Sequence, residues 1–198
     1  MNAETPKNLA VFVSGTGSNF EAMLDKHIPV MLVVADRPCK AIDTAKEAGI
    51  PTELIERKNF GTTFDRELYT QKILEVLRTH EIHLVAMAGF MTILADSLFT
   101  KYDGYILNTH PSLLPLFKGD HAVKDALEAG AKETGCTIHI ATARLDDGPI
   151  LAQRSVPILP SDSIETLHER IKIEERVLYP EVLKNILSGN LVLPQPVV

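Results

Sequence analysis

The residues best suited to chemistry lie in the segment 108–115, Asn-Thr-His-Pro-Ser-Leu-Leu-Pro, which directly follows a short apolar run. Pro111 and Pro115 prevent this segment from continuing as a helix or a central strand, so it is predicted to be a shaped loop. The loop would present the Asn108 amide and the His110 imidazole at the carboxyl end of a strand, where open α/β sheets bind ligands. An amide donor beside a titratable base suits acyl-type chemistry, because one group stabilises an oxyanion and the other moves a proton.

A glycine-rich run, Ser-Gly-Thr-Gly-Ser-Asn at 14–19, follows the first apolar strand candidate. Its backbone N–H groups and the dipole of the next helix favour an anion, and Ser18 and Glu21 have the spacing of a capping box. The run is shorter than a dinucleotide fingerprint, since Phe20 replaces the last glycine, and it lacks the lysine of a nucleotide P-loop. A monophosphate site is therefore favoured over a dinucleotide site; the alternative is a tight turn that simply needs glycine.

Two polar side chains of the second half, Thr137 and His139, share one face of a predicted strand. A lone strand histidine is more often a surface or structurally satisfied residue than a catalytic one. The next loop carries an acidic pair that begins at Asp146 and precedes Gly-Pro, which a simple turn would also explain. If the fold delivers this acid beside His110, it favours the charged imidazole and raises the imidazole pKa.

A long helix predicted from 163 to 187 carries an apolar stripe with a carboxylate, Glu175, inside it. The stripe consists of Ile164, Leu167, Ile171, Leu178, Val182 and Ile186. An unpaired buried carboxylate is costly, so Glu175 is predicted to have a partner, either an internal salt bridge or a ligand hydroxyl or amine. Lys172 lies one turn earlier, near the edge of the stripe, where it would meet an anion. Asp162 and Glu165 have capping-box spacing at the start of the helix.

The elements that position these groups alternate between strands and helices through the first half of the chain. The predicted strands are 9–13, 30–35, 52–55, 84–88 and 105–107, and the predicted helices are about 19–25, 41–48 and 64–80. This alternation of helices with continuously apolar strands indicates a parallel sheet covered on both faces. The strand 136–142 alternates as a half-covered strand does, and 150–156 is predicted to be its antiparallel partner. The predicted fold class is therefore α/β, a Rossmann-like mostly parallel sheet that continues into an antiparallel pair and a long C-terminal helix.

Composition limits the classes of function. The 198 residues, 45% of them hydrophobic, predict one domain, with halves at 1–107 and 108–189 and a tail at 190–198. A formal net charge of −6 argues against general nucleic-acid binding. Two cysteines, and the lack of an apolar signal core or a membrane-length apolar run, predict a reduced cytoplasmic protein that does not bind membranes.

Five segments taken together resemble the phosphoribosylglycinamide formyltransferases (GAR transformylases) of the folate-dependent formyltransferase superfamily. They are 14–19, 88–94 (Ala-Gly-Phe-Met-Thr-Ile-Leu), 108–115, 145–150 (Leu-Asp-Asp-Gly-Pro-Ile) and 175–180 (Glu-Arg-Val-Leu-Tyr-Pro). The segment 108–115 together with Asp146 is specific to the superfamily, and the glycine-rich run narrows the choice to the glycinamide ribonucleotide branch. By periodicity alone, 88–94 would be interpreted as a crossover that packs on the core.

The resemblance implies direct acyl transfer of the formyl group of 10-formyltetrahydrofolate to the amine of 5′-phosphoribosylglycinamide in IMP biosynthesis, through a tetrahedral intermediate. The implied catalytic residues are Asn108, His110 and Asp146. The implied substrate-binding residues are Gly15, Thr16, Gly17, Ser18, Asn19, Gly89, Met91, Pro111, Lys172 and Glu175. The implied cofactor-binding residues are Met91, Thr92, Ile93, Leu94, Asn108, Thr137, His139, Thr142, Ala143, Arg144, Leu145 and Asp146. No metal is implied, and the expected partners are small molecules, bound by a monomer or homodimer.

Some positions depart from the family pattern, and alternatives remain. Gly61 and Thr92 stand where some relatives have arginines near the folate, so neither is expected to act as a charged contact. Gly119 is consistent with a mobile lid at 116–121 or with an ordinary surface loop, and a cis Leu114–Pro115 bond is hypothesised to aim His110. The alternative functions are a formyltetrahydrofolate hydrolase, a methionyl-tRNA formyltransferase, which would want a basic surface, and a non-catalytic nucleotide-binding module.

Overall fold

The computed structural model describes residues 8–59 and 61–194, and a seven-stranded sheet lies at its centre. The strands are β1 (Leu9–Val13), β2 (Val30–Ala35), β3 (Thr52–Leu54), β4 (Leu84–Met87), β5 (Tyr105–His110), β6 (Glu133–Ile140) and β7 (Ile150–Pro157). The helices are α1 (Ser18–Asp25), α2 (Lys40–Glu47), α3 (Arg66–Thr79), α4 (Ser97–Lys101), α5 (Ala122–Glu128) and α6 (Ile164–Leu187), and a short 3-10 helix at Gly61–Thr63 precedes α3.

The strand order is β3-β2-β1-β4-β5-β6-β7, with parallel pairing from β3 through β5 and antiparallel pairing of β6 with β5 and β7. The chain moves outward in one direction from β1 and then returns to β4 on the other side. The crevice between the carboxyl ends of β1 and β4 is therefore the topological switch point, where sheets of this kind bind ligands. The predicted fold class is confirmed.

Helices cover both faces of the sheet because its central strands are apolar on both sides. Leu9, Val11 and Val13 of β1 pack in one core with α1, α2 and α6. Ala10 and Phe12 pack in a second core with α3 and α4. No helix among the described residues is long and apolar enough to span a bilayer.

The first three residues of the segment 108–115 form the end of β5, which corrects the prediction of a loop over the whole segment. Asn108, Thr109 and His110 pair with His139, Ile138 and Thr137 of β6. The prolines end the strand only after His110, because β6 supplies the hydrogen-bonding partner that the local sequence does not show. The prediction of a half-covered β6 is also wrong, since every residue from Thr134 to Ile140 is buried.

Both predicted capping boxes are wrong in detail. The cap of α1 is Gly17, in the left-handed conformation, and Glu21 pairs with Lys40 at 3.0 Å. The cap of α6 is Ser163, which forms a reciprocal capping box with Thr166. The sequence pattern placed α1 and α6 correctly, but several polar residues near each start can compete for the cap. The short helices α4 and α5 were not predicted.

Candidate active site

His110 is the last residue of β5, and its imidazole lies between two hydrogen-bond acceptors. Nδ1 is 3.3 Å from Oδ2 of Asp146, and Nε2 is 2.8 Å from the carbonyl oxygen of Phe117. Since both oxygens only accept hydrogen bonds, an imidazolium with a hydrogen on each nitrogen satisfies both contacts. His110 is 4% exposed and Asp146 is 6% exposed, so little water screens the pair.

Asp146 reaches His110 because the segment 141–149 folds back over the face of β5 and β6. Asp146 has a left-handed φ of 51°, which acidic residues tolerate better than most, and the amide of Gly119 donates to its Oδ2 at 2.9 Å. A Cβ on Gly148 would lie 1.8 Å from the carbonyl oxygen of Ile140, so the backbone can pass there only as glycine. The Asp-Asp-Gly sequence therefore forms a turn whose backbone places the buried Asp146 carboxylate beside His110.

Asn108 and His139 lie opposite each other on the two strands, with the Asn108 Nδ2 atom 3.4 Å from His139 Nε2. His139 Nδ1 is 3.1 Å from the carbonyl oxygen of Ile140, which only accepts, so the tautomer with hydrogen on Nδ1 satisfies both contacts. Burial lowers the pKa of His139, which favours the same neutral form. His139 therefore orients the Asn108 amide through one of its two hydrogens and leaves the second for another acceptor.

Thr137 lies on the same face, but it supports the chain after β5. Its hydroxyl donates to the Ser112 carbonyl at 2.6 Å and accepts from the Leu114 amide at 3.1 Å and from Gln153 at 2.9 Å. The side chain is fully buried, and these contacts use its hydrogen-bonding capacity. Within this supported turn, the hypothesised cis bond between Leu114 and Pro115 is present.

A second polar cluster lies on the opposite face of β5, around Glu175 of α6. The Glu175 carboxylate accepts from Asn19 Nδ2 at 3.3 Å and from Thr109 Oγ1 at 3.2 Å, and burial raises its pKa. Its partners in the described structure are thus neutral side chains and not the salt bridge that was one of two predicted possibilities. Asn19 Oδ1 is buried and lacks a partner among the described residues, so this cluster can accept further hydrogen bonds.

Around this cluster, the apolar stripe of α6 is buried as predicted except at its first residue. Leu167, Ile171, Leu178, Val182 and Ile186 are buried, whereas Ile164 is 42% exposed because it begins the first turn. The ammonium group of Lys172 lies 2.8 Å from Glu169, and its side chain is about one-third exposed. Lys172 is close enough to act electrostatically on Glu175, but it is not buried in the cluster.

The glycine-rich run connects β1 to α1 beside the switch point. Gly15 and Thr16 are exposed, and the Gly15 carbonyl accepts from the Ala41 amide at 3.3 Å. The Ser14 hydroxyl accepts from the Met91 amide at 2.8 Å, so this run touches the segment that follows β4. Gly89, with φ 79°, turns the chain at the start of that segment.

Four large apolar side chains stand exposed on the segments that follow β4, β5 and β6. They are Met91, Ile93, Leu116 and Leu145, all more than half exposed. Ala143 and Arg144 are also exposed, and the Thr142 hydroxyl donates to the Arg144 carbonyl at 3.1 Å. Leu94 and Thr92, in contrast, are buried, so only part of the predicted cofactor segment presents side chains to a ligand.

Several residues of this region were not singled out from the sequence. Thr109, Phe117 and Gln153 contact predicted site residues only through the tertiary fold. Asp36 has a signal in the sequence, because a charged Asp-Arg pair directly follows the apolar run of β2. Among the described residues, no group of three histidine, cysteine or acidic side chains is placed to hold a metal ion.

Comparisons with known proteins agree with this geometry. The sequence pattern of the formyl transferase family matches residues 7–183. The phosphoribosylglycinamide formyltransferase of Bacillus subtilis is 40% identical over 191 residues, which cover 93% of this chain and 96% of that protein. The crystal structure of glycinamide ribonucleotide transformylase 1 from Symbiobacterium toebii superposes with a TM-score of 0.86 at 34% identity, and the match covers 98% of this chain and 93% of that one.

A longer relative shows how far the likeness extends. The trifunctional purine biosynthetic protein adenosine-3 of Drosophila melanogaster is 37% identical over 199 residues, which span 96% of this chain but only 14% of that protein. The likeness to that protein concerns a single region of it. Because the family pattern covers residues 7–183 and the Bacillus subtilis relative matches nearly the whole of both chains, this chain belongs to the formyl transferase family.

Proposed function

We propose that this protein transfers the formyl group of 10-formyltetrahydrofolate to the amine of 5′-phosphoribosylglycinamide, a step of IMP biosynthesis. The observation that carries the proposal is the buried His110–Asp146 pair beside Asn108, on a strand end that also bears the Glu175 cluster on its other face. The relatives named for this activity match the chain over nearly its whole length.

The ribonucleotide fits the side of the site that contains the glycine-rich run. Backbone N–H groups of 15–18 at the start of α1 suit a phosphate, and Lys172 adds a positive charge nearby. The Glu175 carboxylate and the unpartnered Asn19 Oδ1 are acceptors for hydroxyl or amine hydrogens of the ligand. Gly89, Met91 and Pro111 would border this substrate.

The reduced folate fits the side formed by the segments after β4 and β6. The exposed apolar side chains of Met91, Ile93, Leu116 and Leu145 suit a flat ring system, and the backbone of 91–94 and 142–146 offers polar groups to its edge. The folate supplies the activated formyl carbon. With the folate on one face of β5 and the ribonucleotide on the other, the amine and the formyl group would meet at the end of that strand.

The protein groups would act on the charge that develops as the new C–N bond forms and the bond to the folate nitrogen breaks. Asn108 and the protonated His110 would donate hydrogen bonds to the oxyanion of the formyl group, with the His110 Nε2–H leaving the Phe117 carbonyl for the substrate. His139 keeps the Asn108 amide oriented, and Asp146 holds the charged imidazole. Asp146 and His110 would also relay the proton that leaves the amine toward the departing folate nitrogen.

The proposal is tested by mixing the purified protein with both substrates and following the loss of formyl cofactor and the formation of formylated amine. We expect equal amounts of each, and no formate in the absence of the amine. Formate release without the amine would instead establish a formyltetrahydrofolate hydrolase.

Asp146 and its neighbour Asp147 form a matched pair of variants for this assay. Asp146→Asn should reduce turnover severely, because it weakens the contact that holds the charged His110. Asp147 is exposed and pairs with Lys118, so Asp147→Asn should keep most of the activity. Equal losses in the two variants would contradict the assigned roles.

The proposal also covers the setting of the enzyme. It includes small-molecule substrates without nucleic acid or membrane partners, a cytoplasmic location, and a monomer or homodimer. It treats the chain as one formyltransferase domain, with a phosphate-binding half at 1–107 and a catalytic, folate-binding half at 108–189.

A further inference from the structure

Asp36, the residue that follows β2, has a fully buried carboxylate that the mechanism above does not use. It accepts from the Thr92 hydroxyl at 2.6 Å and from Arg37 Nε at 2.9 Å and Nη2 at 3.1 Å, and the neighbouring Ser14 hydroxyl interacts with the same carboxylate. These donors lower the pKa of Asp36 although burial alone would raise it. The Asp36 carboxylate is therefore a charged acceptor that interacts with its neighbour Arg37, with Ser14 after β1 and with Thr92 after β4.

Ser14 and Thr92 lie on the two sides of the switch crevice. Ser14 begins the glycine-rich run after β1, and its hydroxyl also accepts from the Met91 amide at 2.8 Å. Thr92 lies in the segment after β4, directly next to Met91. Asp36 thus contacts both substrate-binding segments, one through Ser14 and the other through Thr92.

Stability alone does not account for this arrangement. The Asp36–Arg37 ion pair contributes little net stability, because the Arg37 side chain is 40% exposed and desolvation of the buried carboxylate offsets most of the attraction. A directional acceptor shared by two loops does, however, fix their spacing, and an error of about 1 Å in the placement of reacting groups can cost roughly 100-fold in rate.

We infer that Asp36 is a positioning residue that ties the ribonucleotide-binding run to the cofactor-binding segment at the spacing that formyl transfer needs. The inference rests on the proposed function for the identity of the two ligands. The inference also assigns a role to the Thr92 side chain, which holds its loop through the hydrogen bond to Asp36. Thr92 would then contribute to cofactor binding only through the backbone of its segment.

The kinetic test uses Asp36→Asn, which keeps the shape of the side chain and removes its charge. We expect kcat/KM to fall by about tenfold or more for each substrate, since hydrogen bonds weaken when their acceptor loses its charge. Both KM values should rise, because both segments loosen. Unchanged KM values for the ribonucleotide and the folate in a folded variant would overturn the inference.

Thr92→Val is a second variant that removes one donor and keeps the carboxylate. It should raise KM for the folate more than KM for the ribonucleotide, and its effect should be much smaller when Asp36 is already Asn. Thr70→Val is the matched control, because the buried Thr70 hydroxyl accepts from the Ala95 amide at 2.9 Å and holds the same segment without touching Asp36. It should leave KM for the ribonucleotide unchanged; additive effects of Asp36→Asn and Thr92→Val would contradict a shared tie.

Hydrogen exchange of the ligand-free protein separates this inference from the proposed function. Asp36→Asn should speed exchange of the Met91 amide and of amides in 15–19 together, whereas Thr70→Val should speed exchange only near Ala95. If Asp36→Asn leaves the Met91 amide and the run 15–19 as protected as in the wild type, the tie does not exist. A wild-type protein that transfers no formyl group would overturn the proposed function, and the exchange data would still decide the role of Asp36.

Discussion

Two buried histidines 29 positions apart in the chain both lie near Asp146 but differ in their hydrogen-bond partners. His110 lies between two hydrogen-bond acceptors, the Asp146 carboxylate and the Phe117 carbonyl, whereas His139 donates from Nδ1 to a carbonyl and accepts from the Asn108 amide at Nε2. Desolvation lowers the pKa of His139. Neighbouring groups whose environments favour opposite forms can divide catalytic roles, so His110 is suited to donate to an oxyanion and His139 to orient Asn108.

Replacing His110 by Ala should lower kcat by roughly 10²–10³-fold, the usual cost of one oxyanion donor. The Asn108→Ala variant should lose a similar factor for the same reason. Steady-state kinetics with both substrates measures the loss, and circular dichroism checks that the variants fold. Near-normal turnover of folded His110→Ala would refute the assignment.

Glu175→Gln should stabilise the ligand-free protein at neutral pH. Burial raises the pKa of Glu175 above its ordinary 4.5 in the folded state. The folded protein then binds this proton more tightly than the unfolded chain, so the free energy of unfolding falls as pH rises from 4.5 through the raised pKa and stays reduced above it. The glutamine avoids that penalty and keeps an acceptor for Asn19 or Thr109.

Thermal unfolding across this pH range measures the effect, with about 2–4 °C in Tm for each kcal/mol. The gain of Glu175→Gln over the wild type should shrink toward zero as pH falls to 4.5 and below. The same variant should have a raised KM for the ribonucleotide, because a charged acceptor is lost. A variant less stable than the wild type at neutral pH would contradict this account of the cluster.

The glycine-rich run is an element whose shape depends on one of its two glycines. Gly17 has φ 78°, and a Cβ there would lie 2.7 Å from the Cβ of Ala41 on α2. Gly15 has no heavy atom within 4 Å of its ideal Cβ and no left-handed φ. The run therefore packs on α2 at Gly17 and is open to a ligand at Gly15.

Gly17→Ala should destabilise the fold by roughly 1–2 kcal/mol from the left-handed conformation alone, with a further cost for the contact with Ala41. Gly15→Ala is the paired control and should leave the free energy of unfolding nearly unchanged. Urea denaturation of both variants gives the comparison. Equal stability of the two variants would show that the run can reshape itself around Ala41.

The central strand β5 divides the site between its two faces. Asn108 and His110 lie on the face that 141–149 covers, whereas Thr109 lies on the α6 face and reaches Glu175. This alternation follows from the period of two in a strand. Substrate groups from the two faces can therefore meet only at the end of β5, beside His110.

At the scale of the whole molecule, one continuous sheet links both halves of the chain through the pairing of β4 with β5 and of β5 with β6. We predict that the chain unfolds in a single cooperative transition, as a one-domain protein would. Equal calorimetric and van't Hoff enthalpies would meet this expectation. Two resolved transitions would instead divide the chain into separate folding units.

Much of this architecture could be predicted from local pattern. The bounds predicted for β1 and β2 agree with the structure at both ends, because each is a continuous apolar run, and α6 begins one residue after its predicted start, because its apolar stripe has a clear helical period. Local sequence patterns predict less well where the partners of a segment are distant in sequence. Residues 108–110 form strand only because they pair with β6. The strand β6 is buried on both faces only because neighbouring segments fold over it. Helices α4 and α5 are too short for a clear period.

The sequence by itself determined the fold class and the choice of reactive residue types, since hydrophobic periodicity and the order of motifs are local properties of the chain. Only the tertiary structure decided which groups touch: Asp146 beside His110, Asn108 beside His139, and Asp36 between Ser14 and Thr92. Those contacts join residues far apart along the chain, and they depend on how loops pack against strand ends. Hydrogen-bond partners and burial, which set the protonation of each group, exist only once that packing is complete.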